Sequence, residues 1–212
     1  MIDTIVVFAG GPQPSQRALE AIPPDAVVLA ADGGAQHALA HGLAVDTAVG
    51  DFDSISPTAF AELERGGVRI ERHPVEKDAT DLELALAAAV ERGPRRVLVI
   101  GGAGGRLDHV LGALTLLGAD AYARVELDAL FGPATVHVVR SERSLPGRPG
   151  ELISLLPLHG PAVAVETEGL RYELHGETLH VGSSRGVSNV FTADRARIAL
   201  ASGVLLAVRP GY

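Results

Sequence analysis

The chain has 212 residues, a formal net charge of −8, 47% hydrophobic residues, and neither cysteine nor tryptophan, which is the composition of a globular protein able to build two compact units. Zero cysteines exclude a disulfide framework, a thiolate metal site and a cysteine nucleophile, so any metal must sit on oxygen or imidazole. No apolar run approaches the roughly 18 residues of a membrane span, and an acidic chain without Lys/Arg clusters does not suit nucleic-acid binding; a cytoplasmic protein without membrane or nucleic-acid partners is expected.

The first half alternates short apolar runs with helical patterns. IVVFA, VVLAA, TAVG, VRIERH and RRVLVIGG read as strands, and SQRALEAI, GAQHALAHG, PTAFAELERGG, ATDLELALAAAVERG and RLDHVLGALTLLG as helices. Such alternation predicts crossover units and a mostly parallel sheet covered on both faces. The helix starting near Thr80 has the broadest apolar surface. Beyond about Tyr122 the period changes. VELDAL, TVHVV, ELISLLPL, AVAVETEGL, TLHVG, NVFTA, ARIALA and VLLAV are short runs separated by Gly, Pro, Ser and Asp, which predicts an antiparallel sandwich or barrel, with RSLPGRPG at 143–150 as a turn. The expected division is an α/β domain over 1–130 and an all-β domain over 131–212.

Six of the twelve aspartates follow the predicted strands of the first half: Asp32, Asp51, Asp53, Asp78, Asp81 and Asp108. In an open parallel sheet the carboxyl ends of the strands share the edge that binds ligands. Crowded carboxylates repel unless a cation sits among them or some are protonated. An all-oxygen site suits Mg²⁺, which completes its octahedron with water and phosphate oxygens, so a nucleotide polyphosphate is the expected ligand. The plainer account is helix capping, for which Asp78 before the long helix and Asp32 before GGAQHAL are candidates.

Glycines accompany the acids in AGGP, DGG and GGAGGR, without matching GxxxxGK[ST] or GxGxxG. Of 18 basic residues, 17 are arginine; the sole lysine is Lys77, either a phosphate contact or an accident of a surface loop.

The order of ADGG, GDFDSI at 50–55, KDATDLELAL at 77–86, GGRLDH at 104–109, TEGLRYEL at 167–174 and SSRGVSN at 183–189 closely resembles the thiamine pyrophosphokinase family, and the resemblance spans nearly the whole chain. It implies a Rossmann-like, three-layer α/β domain that binds ATP and Mg²⁺, a C-terminal β-sandwich that binds thiamine, and a homodimer with the active site at the subunit interface. The implied reaction moves pyrophosphate from ATP to the thiamine hydroxyl, leaving AMP. By the same resemblance Asp51, Asp53 and Asp81 hold Mg²⁺. Asp32, Gly33, Asp78, Thr80 and Arg106 line the nucleotide site, and Asp81, Arg106, Asp108 and Lys77 serve catalysis. Tyr172, Ser188 and Asn189 reach toward thiamine, with packing on the sheet as the alternative for Tyr172. SNVF stands where many bacterial members carry SNEF.

His37 and His41 have the spacing of a zinc pair but lack the glutamate of HExxH. His109 adjoins Asp108 and faces either the cleft or the packing side of its helix. Two competing readings remain open from the residues: an Mg²⁺-dependent kinase moving one phosphoryl group to a small alcohol with ADP as product, and a non-catalytic thiamine or nucleotide sensor.

Overall fold

The computed structural model describes residues 2–104 and 106–211. Gly105, part of the GGAGGR and GGRLDH stretches, lies outside them. The chain divides into two compact units. The first takes in the chain up to Leu116 together with Arg124–Gly132, and the second takes in Leu117–Ala123 and the chain from Pro133 onward.

In the first unit six strands, β1 (Thr4–Phe8), β2 (Val27–Ala31), β3 (Thr47–Gly50), β4 (Arg69–Arg72), β5 (Arg96–Ile100) and β6 (Glu126–Phe131), stand in the order β4-β3-β2-β1-β5-β6. Every neighbouring pair is parallel. Between them run α1 (Gln16–Glu20), α2 (Gly34–Ala40), α3 (Pro57–Arg65), α4 (Asp81–Glu91) and α5 (Leu107–Leu117). All five residues of β1 are buried, as expected of a central strand covered on both faces, which is why its sequence is apolar throughout instead of alternating. Val6, Phe8, Val28, Ala30, Ala48, Leu98 and Ile100 join Ala18, Ala35, Ala38, Ala59 and Leu63 of α1 to α3 in one core cluster. Residues of opposite parity, such as Ile5, Val7, Leu29 and Val49, are also buried, and α4 packs on β1, β2 and β3 through its buried Ala85, Leu86 and Ala89. The expected α/β fold is therefore present.

The strand order reverses between β1 and β5, because β2 to β4 extend to one side of β1 while β5 and β6 extend to the other. That reversal is where open α/β sheets bind ligands, at the carboxyl ends of the strands. The loops leaving β1 and β5 meet here. Gly102 N–H donates to the Gly10 carbonyl at 2.9 Å, and a Cβ on Gly101 (φ +100°) would lie 2.5 Å from the Ala9 carbonyl oxygen, so no side chain fits.

The second unit is antiparallel. Its strands are β7 (Ala134–Val139), β8 (Glu142–Pro146), β9 (Leu152–Glu168), β10 (His175–Leu179), β11 (Asn189–Val190), β12 (Arg195–Ala199) and β13 (Ser202–Arg209), in the order β7-β13-β9-β12-β8 with β10 and β11 also on β9. Strand β9 serves β13 with its first part and β10 and β12 with its last. His159 and Ala164 in between have positive φ, bending the strand from one sheet to the other. One core collects Leu145, Ile153, Val165, Phe191, Ile198 and Leu205.

Three expectations are corrected. VELDAL belongs to the parallel sheet, since β6 pairs parallel with β5. RSLPGRPG is not all turn: Arg143–Pro146 pairs with β12, and Pro146 is tolerated because β8 ends the sheet and needs no second partner. ELISLLPL and AVAVETE are parts of one bent strand. No helix among the described residues is long and apolar enough to cross a membrane.

Candidate functional site

The site is built from residues just past the strand ends. Asp32 follows β2, Asp51 and Asp53 follow β3, and Asp81 opens α4. A carboxylate oxygen from each of Asp32, Asp51 and Asp53 lies within 4.8 Å of the other two. The family resemblance groups Asp51 and Asp53 with Asp81. The structure brings Asp32 into the trio and joins Asp81 to it through Lys77, whose Nζ lies 2.5 Å from Asp51 Oδ2 and 2.9 Å from Asp81 Oδ1. Lys77 is thus not a surface accident; its side chain is only 13% exposed.

Backbone conformation sets the convergence. Asp32 adopts φ +43°, its N–H donating to the Val49 carbonyl of β3 at 2.9 Å and its carbonyl accepting from Ala35 of α2 at 3.0 Å. Phe52 adopts φ +64°, and the turn draws Asp53 N–H back to Asp51 Oδ1 at 3.2 Å. Ser54 donates its hydroxyl to Asp53 at 2.8 Å. Gly50, the first residue of GDFDSI, has a steric role that the motif alone does not reveal. A Cβ there would sit 3.1 Å from both the Asp32 Cβ and Asp81 Oδ1, so the acids approach each other across the space a side chain would fill. Its signal was its place, a glycine ending a strand immediately before paired acids.

The electrostatics differ from one acid to the next. Burial pushes the Asp32 carboxyl above its usual range; the Gly33 N–H and Ser54 hydroxyl oppose this, and the Asp81 and Asp51 charges add to it. Asp32 Oδ1 has no hydrogen-bond partner among the described residues. Asp51 is held below its usual range, chiefly by the Lys77 ammonium. Desolvation works to lower Lys77, but Asp51 and Asp81 outweigh it and leave its pKa raised.

The remaining sequence candidates lie as follows. Asp78 is exposed, and the cap of α4 is Thr80, whose hydroxyl accepts from Glu83 N–H at 3.2 Å. Gly33, not Asp32, is the cap position of α2 and makes no side-chain bond, so neither aspartate caps its helix. Arg106 and Asp108 form a two-pronged pair before and within the first turn of α5, at 2.6 and 3.2 Å. Both are exposed, and the guanidinium holds the Asp108 carboxyl down to about 2. His109 is exposed, which removes the packing alternative. His37 Nε2 lies 2.8 Å from the Gly11 carbonyl, engaging the glycine loop after β1. In the second unit Asn189 is 3% exposed, and its side-chain amide exchanges hydrogen bonds with the Tyr172 backbone, accepting from its N–H at 3.0 Å and donating to its carbonyl at 2.8 Å. That clamp presents the Tyr172 side chain, 63% exposed, to solvent instead of the sheet. Ser188, also exposed, takes φ +59°.

These features define a class of protein in which an acid-lined α/β unit precedes an antiparallel β unit. The family model described as the thiamin pyrophosphokinase catalytic domain matches residues 20–127, and the model described as its vitamin B1 binding domain matches residues 135–205. The chain belongs to the thiamin pyrophosphokinase family. It is 27% identical to the thiamine pyrophosphokinase of Bacillus subtilis over 97% of this chain and 98% of that one. The crystal structure of the Bacillus subtilis thiamine pyrophosphokinase superposes with a TM-score of 0.87 at 26% identity, covering 99% of each chain. That of Geobacillus thermodenitrificans gives 0.82 at 25% identity, covering 97% of this chain and 96% of the other.

Proposed function

We propose that this chain is a thiamine diphosphokinase that moves the β and γ phosphoryl groups of ATP to thiamine, with Mg²⁺ as cofactor. The observation that carries the metal reading is the Asp32, Asp51 and Asp53 trio at the carboxyl edge of the sheet, with one buried Asp32 oxygen lacking a hydrogen-bond partner among the described residues. An all-oxygen donor set in a chain without cysteine fits a hard divalent cation. Asp32, Asp51 and Asp53 would hold it. When bound, such an ion neutralises charge on phosphate oxygens.

The chain's own groups account for the rest. The glycine loops after β1 and β5, packed so that a Cβ on Gly101 would meet the Ala9 carbonyl oxygen, are of the kind whose backbone amides can come close to phosphate. Lys77 supplies a compact positive charge and Arg106 a planar fork suited to phosphate. Asp108, held near pKa 2, is a weak base, and its part is to orient Arg106. The thiamine hydroxyl oxygen bonds to the β-phosphorus as the bond from that phosphorus to the α,β-bridging oxygen breaks, AMP departs and the hydroxyl proton passes to solvent. Positioning and charge neutralisation dominate such transfers. In the second unit, Tyr172 and Ser188 form the thiamine-facing surface, with Asn189 holding Tyr172 in place. The working form is a homodimer with its site completed at the subunit interface.

The test is direct. Purified protein incubated with thiamine, ATP and Mg²⁺ is expected to give AMP and thiamine diphosphate by chromatography. ADP with thiamine monophosphate would replace this reading with a one-phosphate kinase, and tight thiamine binding without turnover would replace it with a sensor.

A further inference from the structure

Arg72 stands outside the carboxylate cleft, yet three contacts tie it to the turn that shapes the cleft. It is the last residue of β4, which begins the sheet order and has only β3 beside it, and it lies opposite Gly50 in the β3–β4 register. From there its Nη1 donates to the Asp51 backbone carbonyl at 3.3 Å. Its guanidinium carbon sits 5.3 Å from the centre of the Phe52 ring and 5.2 Å from that of Phe60. The two rings pack on each other, 5.2 Å apart and tilted by 59°.

Phe52 is the residue between the two acids of GDFDS, and its left-handed φ of +64° is disfavoured for a bulky L-residue. Such a conformation persists only where the surroundings hold it. From the inside, Phe52 is held by the apolar core, of which its ring is part. From the outside, it is held by the guanidinium stacked on that ring and bonded to the preceding carbonyl. The turn matters because residues two apart in extended chain are separated by about 7 Å, whereas here Asp53 N–H folds back onto Asp51 Oδ1 and both carboxylates come within reach of Asp32.

We propose that Arg72 is a positioning residue for the Asp32, Asp51 and Asp53 site, keeping the Asp51–Phe52–Asp53 turn left-handed by stacking on Phe52 and Phe60 and bonding to the Asp51 carbonyl. The proposal rests on reading that trio as a divalent-cation site. Lysine cannot do the same work, because an ammonium lacks the flat face and the fork of donors.

The test exploits a difference in sign. Arg72 is a cation beside a cation site, so if it acted only through its charge, removing it would tighten metal binding. A positioning role demands the reverse, since lost support around metal ligands typically weakens affinity by about 10–100-fold. Mn²⁺ binding to the full-length protein is measured by electron paramagnetic resonance without nucleotide or thiamine, for wild type, Arg72→Ala, Arg72→Lys and Asp53→Asn. The expected result is a Kd for Mn²⁺ raised roughly tenfold or more in Arg72→Ala, with Arg72→Lys weakened in the same direction despite its retained charge. An unchanged or lower Kd in a folded Arg72→Ala overturns the proposal, as does lowered thermal stability with wild-type Mn²⁺ affinity. Should Arg72→Ala not fold, Arg72→Lys decides by the same criterion. Asp53→Asn separates the two levels: if it binds Mn²⁺ as wild type does, the trio is no cation site and the proposal falls with that reading, whatever Arg72 does.

Discussion

Lys77→Met isolates the internal counter-ion of the site, because methionine keeps most of the aliphatic stem and removes the charge. In the wild type the ammonium contacts Asp51 at 2.5 Å and Asp81 at 2.9 Å, with side chains 13%, 9% and 24% exposed for Lys77, Asp51 and Asp81. Exposed ion pairs contribute up to about 1 kcal/mol, and breaking a fully buried one costs about 3–5 kcal/mol. The intermediate burial here sets the expected loss near 2 kcal/mol in metal-free buffer at pH 7. For a chain of this size that lowers the melting temperature by about 4–8 °C. Saturating Mg²⁺ should narrow the gap, since a bound cation replaces the missing charge and stabilises the folded state by mass action. Acid should narrow it too. The depressed Asp51 carboxyl contributes stability at pH values above its unfolded pKa, and that contribution is lost as pH falls through the lower folded value. Calorimetric melts with and without Mg²⁺, at pH 7 and below pH 4, test both effects. A variant as stable as wild type in metal-free buffer at pH 7 would refute the counter-ion argument, and so would an Mg²⁺ response equal in the two proteins.

Asp32→Asn should act oppositely on the fold: burial raises this carboxyl, so stability is lost as pH rises through its folded pKa. The amide variant, which tolerates the left-handed backbone, should melt higher than wild type in metal-free buffer at pH 7, lose that advantage in acid, and turn over at least roughly tenfold more slowly, all readable from melts and a coupled AMP assay. Gly50→Ala places a Cβ 3.1 Å from the Asp32 Cβ and Asp81 Oδ1 at φ +151°; a loss of about 1–3 kcal/mol and a collapse of turnover are expected by melting and product analysis, and wild-type turnover would disprove the crowding. Asn189→Ala strands the Tyr172 N–H and carbonyl, costing about 1–3 kcal/mol; steady-state kinetics should show a higher KM for thiamine with that for ATP unmoved, and equal changes in both would count against the clamp.

The parallel half was legible because buried central strands read as unbroken apolar runs, IVVF and VLVI, each followed by a helical pattern. β6 was not, because after Tyr122 no helix follows VELDAL to mark it as one more repeat, and only its pairing with β5 assigns it. Pro146 concealed β8 by supplying a turn signal at a position where an edge strand tolerates it. Among the acids, placement after a strand drew attention to Asp32, Asp51 and Asp53, which the fold brings together, but the same rule flagged Asp78, which lies in a longer stretch whose Lys77 turns inward while Asp78 remains exposed. The part played by Arg72 was beyond sequence reading, since it depends on register with Gly50 and on two rings eight residues apart being brought into contact.

Capping bears on whether the acids serve function or merely helix ends. The structure gives the caps of α1, α3 and α4 to Ser15, Ser56 and Thr80, each hydroxyl accepting from the third residue of its helix at 3.2 Å, while α2 starts at a glycine without a side-chain cap. Asp81 and Asp108 still lie in first helical turns, where negative charge is favourable. Asp32 has no such return. Among the described residues Asp32 carries a buried oxygen without a hydrogen-bond partner, and its backbone lies in the left-handed region; its neighbours Asp51 and Asp81 raise its charge penalty further. Hydroxyls do the capping that aspartates could have done, and Asp32 occupies a position where burial works against its charge. A chain selected for stability alone would place an amide or a hydroxyl at 32; on the proposed metal reading, a bound cation offsets the carboxylate's charge there.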